Sequence, residues 1–87
     1  MQSKFHFTVT DLARLLGKSP VTLRGWERQH LVTIPREGNH GDRKLNCDQV
    51  IAVAYRAHEL KRIKPDRLDI VITAMTILKM VEKENKK

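Results

Sequence analysis

This sequence lacks the residues for a disulfide framework, a metal centre or a membrane span. It carries one cysteine, Cys47, so no internal disulfide can brace the fold, and packing alone must hold it. The four histidines are scattered. A zinc set drawn from His40, Cys47 and His58 would still need another ligand and an unusual spacing, so no metal and no cofactor is expected. No apolar stretch reaches the roughly 18 residues that a spanning helix requires, and residues 1–6 lack the apolar run of a signal peptide. A soluble protein of a reducing, cytoplasmic compartment, without membrane contact, is the expectation. Catalytic sets are missing as well: no paired carboxylates at a useful spacing, no glycine-rich phosphate loop, no serine or cysteine with an assigned base. The chain reads as non-enzymatic.

What is present is a core and a surplus of positive charge. The 87 residues suit one small domain spanning 1–87, and 40% of them are hydrophobic, enough to fold. Seventeen Lys and Arg oppose ten Asp and Glu, a formal net charge of +7 that favours a phosphate-rich or acidic partner. Nucleic acid is the first candidate.

Leu12, Ala13, Leu15 and Leu16 recur at helical spacing after Thr10, which can cap a helix start, and Gly17 can close it; a first helix over 10–16 is predicted. Ser19 is a good N-cap and Pro20 is tolerated at the first helical position, so a second helix is predicted over 19–29. In it Leu23 and Trp26 share the inner face, turning Val21, Arg24, Gly25 and Arg28 outward. A turn of only two residues, Gly17 and Lys18, separates the helices, the spacing of a helix-turn-helix whose second member enters a major groove. Residues 32–46 then read as a short irregular β-hairpin, a wing. Its Arg36, His40, Arg43 and Lys44 could touch a DNA backbone.

A third helix is predicted over 47–62, capped by Asn46, and a fourth over 66–83, capped by Asp66 after the break at Ile63, Lys64 and Pro65. The fourth is apolar on two sides: Leu68, Val71, Ile72, Met75 and Leu78 form one stripe, Ile70, Ala74, Ile77 and Val81 another. Three short helices and a hairpin can cover only one stripe, so a homodimer is expected, with the first stripe taken as its interface.

Phe7-Thr8-Val9-Thr10-Asp11-Leu12-Ala13-Arg14-Leu15-Leu16-Gly17 followed by Ser19-Pro20-Val21-Thr22-Leu23-Arg24-Gly25-Trp26-Glu27-Arg28 resembles the MerR-type winged helix-turn-helix over about residues 7–62. The string Thr22-Leu23-Arg24-x-Trp26-Glu27 is similar to the family's most diagnostic stretch, and Gly41-Asp42-Arg43-Lys44-Leu45 sits where its wing lies. The resemblance implies a mainly α fold with a hairpin wing. It also implies that Arg24 contacts a phosphate, that Val21 and Thr22 approach base edges, and that Arg28, Arg36 and Lys44 extend the backbone contacts. Gly25 stands in place of a frequent aromatic, His30 in place of a helix-ending glycine and Leu45 in place of the wing tyrosine. Family regulators add a long dimerisation helix and an effector segment; with the chain ending at Lys87, no small-molecule effector is expected.

Other side chains have two readings each. Trp26 could stack on nucleic acid, but its spacing from Leu23 makes it core by default. Glu27 among basic neighbours suits an ion pair, with Arg43 the partner by the family pattern. Lys18, Ser19 and Arg14 flank the turn, within reach of phosphate or simply solvated. Cys47 reads as a packing residue.

The leading expectation is a sequence-specific regulator of transcription binding double-stranded DNA, in a bacterial cell or a phage-infected host. A dimer would read inverted half-sites about 34 Å apart or a multiple of that. Two alternatives remain: an architectural factor of excisionase or phage-packaging type, and a protein-binding adaptor acting through helix 66–83.

Overall fold

A computed structural model describes residues 5–34 and 44–84, which hold four α-helices. Helix α1 (Val9–Leu16) begins earlier than the sequence predicts, because Thr8 and Asp11 cap it reciprocally. The Thr8 hydroxyl accepts the Asp11 N–H at 3.1 Å, and the Asp11 carboxylate accepts the Thr8 N–H at 3.0 Å. Thr10 thereby lies inside the helix. Helix α2 (Pro20–Arg28) is capped by Ser19, whose hydroxyl accepts the Thr22 N–H at 3.2 Å, with proline at the first position.

Helix α3 (Cys47–Glu59) starts on a second reciprocal cap: Asn46 accepts from Gln49 N–H at 2.9 Å, and Gln49 accepts from Asn46 N–H at 2.8 Å. It ends at Glu59, short of the predicted 62, because Lys61 turns into the left-handed region at φ 61°. Helix α4 (Pro65–Glu84) includes Pro65, which opens the helix instead of preceding it. A proline needs no N–H in a first turn.

The first three helices stop the same way. Gly17, His30 and Lys61 are left-handed, and in each case that residue and its successor donate backward to two otherwise unpaired carbonyls. For α2 the bonds run from His30 N–H to the Glu27 carbonyl and from Leu31 N–H to the Trp26 carbonyl, both 2.9 Å.

Of the predicted hairpin over 32–46, residues 35–43 lie outside the described residues; among the described ones no strand forms, and Leu45 makes an isolated antiparallel bridge with Phe7, two backbone bonds of 2.8 Å. Val32 and Ile34 turn into the core. The proposed wing tip, with Arg36, His40 and Arg43, lies outside the described residues.

Helix α4 packs along α3 and reaches α1, so α1, α3 and α4 enclose a core of Leu12, Leu16, Leu23, Leu45, Val50, Val71 and Met75, all essentially inaccessible. Each such side chain contributes roughly 1.5–3 kcal/mol by leaving water. This packing corrects the expected interface. Leu68, Val71 and Met75 are buried in the chain's own core, and Ile72 and Leu78 pack half-buried against it. The stripe facing outward is the other one: Ile70, Ile77, Met80 and Val81 are exposed. The side of α4 that meets α3 is necessarily its inner side, and that side carries Leu68, Val71 and Met75.

Two polar contacts tie the far end of α4 to the rest. Lys79 donates to the Asp48 carboxylate at the start of α3, and Glu82 accepts the Phe5 N–H at 2.8 Å. Among the described residues no helix is long and apolar enough to cross a membrane.

Candidate nucleic-acid interface

Helix α2 is positioned by two side chains. Leu23 and Trp26, three residues apart, both enter the core, with Trp26 only 6% exposed. Trp26 is therefore a packing residue. Its burial fixes the rotation of the helix, so Val21 stands 71% exposed on the opposite side, with Arg24 and Arg28 exposed beside it. Arg24 and Arg28 are one turn apart, a like-charge pair that disfavours an isolated helix slightly and is relieved by an anion placed opposite both.

Around the helix start, Ser19 is exposed and Thr22 half-buried, their hydroxyls 3.0 Å apart. Both hydroxyls serve the cap. Lys18 and Arg14 are exposed at the turn, and Lys44 is exposed beside the buried Leu45. Arg36, His40 and Arg43 lie outside the described residues, and with Arg43 goes the expected partner of Glu27, which is half-buried on α2. Gly25, between the two arginines, has open space where a side chain would point: no atom lies within 4 Å of a Cβ built there.

The structure brings a further basic group to the same end of the molecule. The α3–α4 junction supplies Lys61, Arg62, Lys64 and Arg67, which with Lys18 rim a cleft of about 710 Å³ floored by Leu16, Ile63, Pro65 and Ile70. One acid, Asp66, lines it. The Arg67 guanidinium lies against the α1–α2 turn, 3.4 Å from where a Cβ on Gly17 would be. That distance is ordinary contact, so it is the φ of 72° that calls for glycine at position 17. In the sequence Ile63, Lys64 and Pro65 read only as a helix break and Lys61, Arg62 and Arg67 as helix residues without a role, yet the dense run Lys61, Arg62, Lys64, Arg67 is the signal that marks this cluster.

Cys47 is buried, and its thiol is pushed above its ordinary pKa, first by burial and then by the nearby Glu82 and Asp48 carboxylates. It stays a protonated thiol at neutral pH and is a poor nucleophile. Lys79 is held above its ordinary value by its hydrogen bond and attraction to Asp48. Among the described residues no group of three or more His, Cys, Asp or Glu is placed to hold a metal ion.

Two helices joined across a tight turn, the second presenting a solvent-facing cationic side, define a helix-turn-helix protein. The model for the MerR HTH family regulatory protein matches residues 7–64, the greater part of the chain. The chain belongs to that family. No curated protein and no solved structure gives a significant match.

Proposed function

We propose that the chain is a regulator that binds double-stranded DNA, inserting α2 into a major groove. One observation carries the reading: burial of Leu23 and Trp26 leaves Val21, Arg24 and Arg28 on the exposed side of α2, next to Lys18. Val21 and Thr22 then approach base edges while Arg24 and Arg28 neutralise phosphates, the division of labour common in groove-binding helices. Lys44, with Arg36, His40 and Arg43 as a wing, extends the backbone contacts on one side. On the other side the cleft at the α3–α4 junction offers Lys61, Lys64 and Arg67 to the same polyanion.

Charge reversal at Arg24 tests the docking. Arg24→Glu should weaken binding to a selected duplex by roughly tenfold or more at physiological salt, with the fold intact by circular dichroism. Unchanged affinity would rule out α2 as the docking element. Transcription control is the role assigned here, and it predicts footprints on an inverted repeat near a promoter. Direct repeats with phased bending would assign an architectural role instead.

A further inference from the structure

The cleft at the α3–α4 junction has a feature that a nucleic-acid backbone leaves unused. Its rim is cationic: Lys18 comes from the α1–α2 turn, Lys61, Arg62 and Lys64 from the junction, and Arg67 from the first turn of α4. All five are exposed, and among the described residues none of their side chains makes an ion pair. The carboxylate of Asp66 offsets them only in part. Between these charges the floor is hydrocarbon, with Leu16 and Ile63 buried beneath and Ile70 left 55% exposed. A phosphodiester strand engages the rim but carries no alkyl chain to cover that floor.

Both turns that line the cleft are closed by backbone bonds. Gly17 and Lys18 donate back to the Arg14 and Ala13 carbonyls, and Lys61 and Arg62 to those of His58 and Ala57, at 2.8–3.1 Å. The cleft is therefore pre-formed, and its volume of about 710 Å³ suits a small molecule. We propose that it binds an amphiphilic anion, an aliphatic chain ending in a carboxylate or a phosphate, with the chain laid on Ile63, Pro65 and Ile70 and the head held by the cationic rim. A neutral apolar ligand would leave the cations without a partner, and a bare inorganic anion would leave the floor wet. The site is built within the helix-turn-helix domain itself, without a separate effector segment.

The rim is shared with the proposed DNA surface, but the inference does not rest on that reading, because binding is measured on the full chain without DNA. Amide chemical shifts of the isotope-labelled protein are followed during titration with hexanoate, octanoate, decanoate and decyl phosphate, each below its micelle-forming concentration. Saturable shifts should concentrate at residues 16–18 and 63–67. Affinity should rise at least about fourfold with each two-carbon extension, the gain expected from one fully buried methylene. Inorganic phosphate and octanol, each with one half of the chemistry, should bind at least about tenfold more weakly than octanoate. Either decanoate or decyl phosphate supports the site, and the tighter of the two names its head group. Lys64→Glu and Ile70→Asp, both at exposed positions, should each weaken decanoate binding by about tenfold or more with an unchanged circular dichroism spectrum. Lys83→Glu, the same charge reversal near the far end of α4, should leave it unchanged. Shifts centred on residues 77–81, an affinity independent of chain length, inorganic phosphate binding as tightly as octanoate, or Lys64→Glu binding no worse than Lys83→Glu would each overturn the proposal.

Discussion

His30 and Lys61 occupy a backbone region that costs a residue bearing a Cβ roughly 1–2 kcal/mol, at φ 63° and 61°. The neighbouring helix ends tolerate that cost because each left-handed residue closes two carbonyls that would otherwise be unpaired. Glycine makes the same turn without the clash, at the expense of a looser unfolded chain. Lys61→Gly is therefore expected to stabilise the protein by about 0.5–1 kcal/mol, a few degrees in a thermal melt. Gly17→Ala should destabilise by about 1–2 kcal/mol, since a Cβ is strained at its positive φ of 72°. Cys47 adds a pH dependence. With its pKa raised in the folded state, the unfolded thiol ionises first as pH climbs, so the native state loses stability across the alkaline range between the two values. Below that range the contribution is fully present. Denaturant melts should show this decline in the parent, and Cys47→Ala should lack the thiol's share of it.

At the scale of elements, α2 is unusual in carrying glycine at its middle, where it costs about 0.5–1 kcal/mol relative to alanine. Space around Gly25 is open, so packing does not require it. Gly25→Ala is predicted to raise the melting temperature. If α2 lies deep in a groove, the same change lowers DNA affinity, and binding measured beside the melt separates the two effects.

Caps and turns were the legible part of the sequence: Ser19 with Pro20, Asn46, and Gly17 all act where local chemistry places them. The start of α1 was misplaced because Thr8 and Thr10 are both competent caps, and only Asp11, three residues beyond Thr8, distinguishes them by its reciprocal bond. The end of α3 was misplaced because nothing local marks Lys61 as left-handed. The inner face of α4 could not be read from periodicity at all. Apolar residues nearly encircle that helix, and only its placement along α3 decides that Val71 and Met75 face inward and Ile77 outward.

Over the whole molecule two kinds of surface are exposed: a cationic one built from α2, the α1–α2 turn and the α3–α4 junction, and an apolar one along α4. The basic face of α2 was readable because Leu23 and Trp26 fix its rotation by spacing alone. Clustering of Lys61, Lys64 and Arg67 near Lys18 was not, since it depends on α4 crossing back over the turn after α1. Nor was the bridge between Phe7 and Leu45, a contact between residues far apart in the chain. The N-terminal segment is thereby held at Phe7 by Leu45 and at Phe5 by Glu82 of α4. Glu82→Ala is expected to cost about 1 kcal/mol by leaving the Phe5 N–H without this acceptor, measurable in a denaturant melt.

The salt dependence of duplex binding tests the central claim most directly, with the logarithm of the association constant followed against the logarithm of salt concentration. With about four to six phosphates neutralised, the slope for the parent should be near −4 to −5, and Arg24→Ala should reduce it by about one while leaving the fold unchanged. A flat line for the parent, or an identical slope for Arg24→Ala, would contradict an α2 whose arginines grip the backbone of a double helix.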